Sequence, residues 1–452
     1  VVTAERAPSR GLGRGTFSSL SIRNYRLFFI GQLISLTGTW MQTVAQSFLV
    51  LQLTDSGTVL GLALAARFAP MFLFGPWGGL IADRLDKRRI LYVTQSASGL
   101  LALAFGLLIS THEIKIWMVF ILAAALGLVN VFDIPARQSM IAEIVPKDQL
   151  RNAVTLNSVT VNTARIFGAA IGGAVTAGLG LASCFDLNAA SFLAVLVTLV
   201  MMSSAQMTPA TPEPRERGQI MAGLRYVRAT PELLVPLLMI TVVGTLAWEF
   251  QVSLPLLAKN TFHGNVATYA TMTSLMGVGA VIGGLLAASR SRVRSSGLAV
   301  AAVGWGVAIT VAGIAPSLAL DYGAMVVVGY GSVSFNSLAK STLQLASVPE
   351  MRGRVMALWA LAWQGTTPIG GPIIGWIGQE FGARWSLLAG GLPTLAVGLI
   401  AYPILRRMDP RSAGSEPDLR PRAAWVKMLP WPTSVPMTEP NSPTVGPGQG
   451  TH

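Results

Sequence analysis

Glu249, Arg67 and Arg165 stand inside otherwise apolar runs of this chain. Ionisable groups there can carry protons or hold ions, because charge at the centre of a bilayer is costly unless it meets a partner or water. Glu249 lies about 16 residues into its run, about 24 Å at the helical rise, deeper than any other carboxylate in an apolar run. It is the first choice as a proton carrier. Paired permanently with Arg67 or Arg165 it would instead be a static ion pair or an outer gate, and the sequence leaves these readings open. Asp133, Asp186 and Lys340 fall nearer the ends of their runs and read as structural.

Other chemistry is poorly supplied. A single cysteine, Cys184, and three scattered histidines, His112, His263 and His452, provide neither a disulfide framework nor a metal cluster. Ala339-Lys340-Ser341-Thr342 lacks the glycines of a phosphate loop, and no nucleophile stands beside a base. The sequence therefore predicts a protein that is not an enzyme and needs no cofactor. Gln32, Trp40, Gln42, Gln46, Asn130, Trp248, Gln251 and Asn336 are candidates for a substrate path. Each by itself reads first as packing or interhelical hydrogen bonding. Together they describe a weakly polar, partly aromatic cavity suited to bulky amphiphiles.

The elements that position these residues follow from composition. Of 452 residues, 52% are hydrophobic and only 12% charged, about half the charge of a soluble domain. An apolar helix of about 20 residues spans a bilayer, and such runs occur at 26–53, 58–82, 90–110, 116–136, 152–178, 184–204, 233–258, 266–289, 298–316, 319–340, 355–378 and 384–406. The expected fold is an all-α membrane protein of twelve transmembrane helices.

The net charge of +13 is dealt out loop by loop. Arg84, Lys87, Arg88 and Arg89 follow the second run; Lys147 and Arg151, then Arg215, Arg217, Arg225 and Arg228, then Arg290, Arg292 and Arg294, then Arg352 and Arg354 occupy alternate loops. The opposite loops hold only Lys115, Lys259 and Arg384. By the positive-inside rule both termini are cytoplasmic. The cations are not gathered on one face, which excludes nucleic acid as a partner. The expected partners are the lipid bilayer, protons and a small-molecule substrate, with the chain acting as a monomer in the cytoplasmic (inner) membrane.

This divides the chain into a basic cytoplasmic arm (1–24), a first six-helix bundle (25–204), a cytoplasmic linker with an amphipathic helix (205–231), a second bundle (232–406) and a Pro-, Ser- and Gly-rich cytoplasmic tail expected to be disordered (407–452). The two bundles are related by an internal repeat. Phe132, Ala136, Val145 and Pro146 recur as Phe335, Ala339, Val348 and Pro349, with Arg137 matched to Lys340. Gly168, Ile171 and Gly173 recur 202 residues on as Gly370, Ile373 and Gly375. Colinear matches along most of both halves predict two pseudo-symmetric bundles with a substrate path at their seam.

At the end of the second span runs Gly78-Gly79-Leu80-Ile81-Ala82-Asp83-Arg84-Leu85-Asp86-Lys87-Arg88-Arg89. It resembles the loop between helices 2 and 3 of the major facilitator superfamily, matched at Gly79, Asp83, Arg84, Arg88 and Arg89, with Asp86 where that family has glycine. The resemblance implies a cytoplasmic gate in which Asp83 latches one side shut, with its partner at the end of the fourth span, where Arg137 stands, and at the start of the eleventh near Val355. Gly168-Ala169-Ala170-Ile171-Gly172-Gly173 resembles the superfamily's antiporter motif, and Gly371-Pro372-Ile373-Ile374-Gly375 is its counterpart; such small residues let helices touch along a smooth face. Phe132-Asp133-Ile134-Pro135-Ala136-Arg137-Gln138, with Asn152-Ala153, Leu156-Asn157-Ser158 and Asn162-Thr163-Ala164-Arg165, is similar to the enterobactin-exporter and Tap-like drug-efflux branch. The resemblance covers roughly 20–405 and implies proton-coupled export of drugs, siderophores or other amphiphilic metabolites by alternating access. A facilitator or importer on the same fold is the alternative.

Overall fold

The structure, a computed structural model, describes residues 17–203, 207, 219–289 and 294–409. Every regular element among them is helical. The first half contains α1 (Arg23–Thr54), α2 (Gly57–Arg84), α3 (Lys87–Ser110), α4 (Ile116–Ile144), α5 (Leu150–Leu179) and α6 (Leu181–Met201). A linker helix, α7 (Gln219–Ala229), leads to α8 (Pro231–Leu246), α9 (Phe250–Leu256) and a π turn (Leu257–Thr261). Then come α10 (Val266–Ser289), α11 (Ser295–Ile314), α12 (Leu318–Ala346), α13 (Pro349–Gln364), α14 (Thr367–Glu380) and α15 (Ala383–Met408).

Local signals set the helix ends. The Ser56 hydroxyl accepts from the Val59 N–H at 3.2 Å, and the Asp86 carboxylate accepts from the N–H groups of Arg88 and Arg89 at 2.8 and 3.4 Å, so each occupies an N-cap. Gly180 and Gly382 turn the corners into α6 and α15 at φ of +85° and +98°, a conformation that favours glycine. They stand 202 positions apart, the displacement that relates Gly168 to Gly370.

The contacts repeat between halves. α2 packs on α4 as α10 packs on α12, α3 on α6 as α11 on α15, and α1 on α6 as α8 on α15. The outward faces of α3, α6, α11 and α15 carry exposed Leu100, Leu107, Leu193, Val200, Val300, Val311, Leu399 and Ile400, the surface of a protein solvated by lipid tails. Among the described residues, nine helical stretches are long and apolar enough to cross a membrane. The rods outside that group are α1, α5 and the pair α13 and α14. α1 buries Gln32, Gln42 and Gln46 among neighbouring helices, and α5 buries Arg165, polar content that lowers their apolarity.

Two expected spans are corrected. The run 233–258 is not one helix: the chain breaks between Leu246 and Phe250, and Glu249 becomes the N-cap of α9. The run 355–378 starts earlier, at Pro349, and breaks between Gln364 and Thr367. Pro368 at the start of α14 explains the second, because it lacks the N–H that would bond the Gln364 carbonyl and continue the ladder; the donor missing at Pro255 would have faced Gln251, inside α9 and past the first break.

The linker helix α7 is docked, with Val227 buried and the Tyr226 hydroxyl accepting from the Val348 N–H at 3.4 Å. Of the basic arm, residues 17–22 are seen. Ser19 is buried, its N–H donating to Asn152 Oδ1 at 3.1 Å and its hydroxyl to the Gln149 carbonyl at 3.2 Å. Residues 1–16, most of the Pro-rich part of the linker, Arg290 and Arg292, and the expected tail from 410 onward lie outside the described residues.

Candidate transport pathway

The two broken rods meet at Glu249. Its side chain is 2% exposed; the Thr367 hydroxyl at the first turn of α14 is its hydrogen-bonding neighbour, while Oε1 has no hydrogen-bond partner. A Cβ placed on Gly370 would lie 3.0 Å from Oε1, and one on Gly371 would lie 3.7 Å from Oε2 and 3.0 Å from the Gly61 carbonyl of α2. The carboxylate is thus lodged where α14 of the second half touches α2 of the first. Such broken-helix junctions give transporters their substrate and ion sites.

Neither arginine proposed as its static partner is paired with Glu249 among the described residues. Arg67 donates to Thr43 Oγ1 at 3.3 Å. Arg165 donates to Asn162 Oδ1 at 3.2 Å, lies 5.8 Å from the Trp40 ring centre and leaves its Nε without a partner. Helix geometry gives the reason. Arg67 and Arg165 are held against α1, whereas Glu249 is turned toward α14. Nor is Glu249 the sole carboxylate buried in a span. Asp133 is 3% exposed, and Asp321, with both oxygens lacking hydrogen bonds, is fully buried with Arg384 as its neighbouring cation. Sequence reading passed over Asp321 because it stands in the first turn of a helix, where acids are ordinary.

Arg67 opens onto a small cleft lined also by Thr43, Gln46, Ser47, Val50, Leu60, Ala63, Leu64 and Gln251. Gln251 belongs to α9, so both halves contribute. The remaining path candidates divide. Gln32 accepts from Arg137 Nη1 at 3.1 Å. Gln42 accepts from Asn188 of α6 at 2.6 Å and therefore stitches helices within the first half. Trp248 lies 4.5 Å from Trp363, its ring tilted at 49° to it, in a cluster with Phe250, Trp305 and Phe335. Asn130 and Asn336 are half-buried, with Asn336 Oδ1 lacking a partner.

At the basic loop the Asp83 side chain lies outside the described residues. Arg137, its candidate partner, pairs with Asp133 of its own helix at 2.9 Å, and Asp133 also accepts from Thr94 and Gln95 at 2.8 and 2.7 Å. Asp86, where the superfamily has glycine, caps α3. Arg88 donates to the Leu199 and Val200 carbonyls at the end of α6, at 2.5 and 3.3 Å. Arg84 is exposed, and Arg89 is exposed with its Asp86 pairing long at 3.9 Å. The close approach of α2 to α4 is made by Gly78, whose Cβ would collide with the Val131 backbone, beside the half-buried Gly79. A buried ion pair that the sequence did not suggest, Lys87 to Glu143 at 3.1 Å, ties the start of α3 to the end of α4.

The glycine motifs form helix seams. Cβ atoms on Gly168 and Gly172 would press on Trp40 and Met41 of α1, and one on Gly173 would press on Ala267 and Ala270 of α10. Gly371, Pro372 and Gly375 lie against Gly57 and Gly61 of α2. Beyond that seam, at the end away from the basic loops, Lys259 Nζ donates to the Leu51 carbonyl at 2.9 Å and meets Asp55 at 2.8 Å. Gln379 Oε1 accepts from the Ser56 hydroxyl at 2.5 Å and the Thr58 N–H at 3.2 Å.

A duplicated helical bundle closed at one end around a cleft fed by both halves is the architecture of a major facilitator transporter: a multi-pass membrane protein that moves solutes and is not an enzyme. The family described as "Transmembrane secretion effector" matches residues 14–428, and the chain belongs to that family. The enterobactin exporter EntS of Shigella boydii serotype 4 is 24% identical over 385 residues, covering 84% of this chain and 91% of that protein. The EntS of Citrobacter koseri is 25% identical over 386 residues with the same coverage. Among solved structures, a POT peptide transporter in complex with alafosfalin superposes with a TM-score of 0.69 at 14% identity, covering 89% of this chain and 97% of that one. An inward-facing, occupied bacterial homologue of the human lysosomal transporter Spinster gives 0.67 at 15% identity, covering 86% and 98%. These two share the fold.

Proposed function

We propose that this protein exports small amphiphilic molecules across the cytoplasmic membrane by alternating access, as a monomeric proton antiporter with both termini in the cytoplasm. Twelve crossings in two bundles, 25–204 and 232–406, carry the movement. In the conformation described, the seam of α2 against α14 and the Lys259 and Gln379 contacts close the outer end. The basic loop with Gly79, Asp83, Arg84, Arg88 and Arg89, together with Arg137, gates the opposite end. The cargo path runs between the halves past Arg67, Gln46, Gln251 and Trp40.

The observation that carries this reading is the position of Glu249. A carboxylate with one open oxygen sits against Gly370 and Gly371, at the contact that must part when the outer end opens. Uptake or loss of a proton there changes a charge at the seam itself, which is how a proton gradient can do work on the equilibrium between states. Export by two EntS relatives supports the direction.

The test is Glu249→Gln in proteoliposomes with an imposed pH gradient and a fluorescent amphiphile as cargo. The variant is expected to fold and bind cargo but to lose gradient-driven accumulation, while passive exchange persists. Unchanged gradient-driven transport would remove Glu249 from the mechanism, and accumulation in the uptake direction would overturn export.

A further inference from the structure

Among the described residues, the Arg67 guanidinium in this cleft meets no carboxylate. It has one hydrogen-bond acceptor among them, the Thr43 hydroxyl at 3.3 Å, although a guanidinium offers five N–H donors. The polar groups around it are amides and hydroxyls: Gln46, Gln251, Thr43 and Ser47. Gln46 is only 8% exposed and its Oε1 has no partner; rotating the amide presents N–H donors in its place. No acid lines the cleft. Glu249, two residues before Gln251, lies about 200° around α9 from it and faces Thr367 and Gly370. The rest of the wall is apolar, Val50 and Leu60 among it.

We infer that this cleft is a subsite for the anionic head of the cargo, a carboxylate or group of like charge and geometry, with an apolar body lying along α1 and α2. The inference rests on the transport reading above and deepens it: the preferred substrates are amphiphilic anions, not cations. Arg67 gripping such a head in two-pronged fashion supplies the counter-charge that the protein itself does not. Gln251 donates to the same head from the other half, so the ligand bridges the bundles.

The experiment measures binding to the purified full chain in nanodiscs of neutral lipid. It uses two probes with one dansyl-alkyl body, one ending in a carboxylate and the other in trimethylammonium, read by energy transfer from tryptophan. The wild type is expected to bind the carboxylate probe about tenfold or more tightly than the cation, the scale of a charged hydrogen bond. Arg67→Gln should abolish that preference by weakening the carboxylate probe while leaving the cation probe unchanged, which also shows that the variant is folded. Arg67→Lys should keep the order of preference at reduced strength. Equal binding of both probes by the wild type, or a parallel loss of both in Arg67→Gln with Arg67→Lys no better, would overturn the inference. Binding has no direction, so a wild type that shows the Arg67-dependent preference but fails to move the carboxylate probe outward in vesicles counts against the export reading and leaves this one standing.

Discussion

On the proposed alternating-access reading, replacing Gly57 with alanine should push the protein away from the conformation in which the seam of α2 and α14 is closed. A Cβ at Gly57 would lie 2.6 Å from the Gly375 carbonyl oxygen and 2.9 Å from Leu256 Cδ1, whereas ordinary contacts begin at 3.4 Å. The Leu256 methyl can swing aside. The carbonyl belongs to the backbone of α14, so that helix must retreat by roughly 0.8 Å, and overpacking of this kind costs about 1–3 kcal/mol. Alanine also favours helix over glycine by up to about 1 kcal/mol, but that gain is the same whether the seam is open or closed and cancels from the equilibrium between the states. A net bias of about 2 kcal/mol moves the ratio of closed to open molecules roughly 30-fold. The measurement is a spin-label distance distribution between Glu113→Cys and Pro316→Cys, exposed positions in the loops after α3 and α11, on a Cys184→Ser background. Gly57→Ala should transfer population to the longer separation. Gly304→Ala, where a Cβ would meet nothing within 4 Å, should not. Identical distributions for Gly57→Ala and the wild type would refute the idea that the seam of α2 and α14 exists only in the closed state.

Lys259→Gln should shift the same distribution in the same direction but by less, on the order of 1 kcal/mol, because Asp55 is 78% exposed and such pairs are screened; added salt should mimic it in the wild type. Lys87→Met and Glu143→Gln should each destabilise the detergent-solubilised protein by about 1–3 kcal/mol by removing a largely buried ion pair, while the double variant loses less than the sum of the two. Thermal unfolding of the four proteins checks this, and additive losses would show that the two groups act separately.

The rods themselves were legible in the sequence because a bilayer demands long apolar runs, and their duplication was legible because Gly168 and Gly370, like Phe132 and Phe335, keep matching places. The breaks at Glu249 and before Thr367 were not read; Pro368 was a visible signal for the second, but a proline in a membrane helix is compatible with a continuous bent rod as well as a broken one. Which way a polar side chain turns was also hidden. In a soluble helix the polar stripe marks the outside, but here lipid and neighbouring helix are equally apolar, so nothing local distinguishes Gln42, bonded to Asn188, from Gln46, which faces the cleft. The pair Lys87 and Glu143 joins residues far apart in the chain, and only the folded α3 and α4 bring them together.

The two halves descend from one pattern yet are held by unlike forces. Around Asp133 the first half is braced by directional bonds from Thr94, Gln95 and Arg137, which tolerate little change in angle. At the matching level of the second, Phe335 stands among Trp248, Trp305 and Trp363 at ring separations of 4.5 to 6.5 Å and varied tilts, an arrangement held by close packing of largely buried rings. The first lobe's bracing thus depends on the direction of its bonds and the second's on the shapes of its rings, so a change of side-chain orientation is felt most in the one and a change of side-chain volume most in the other.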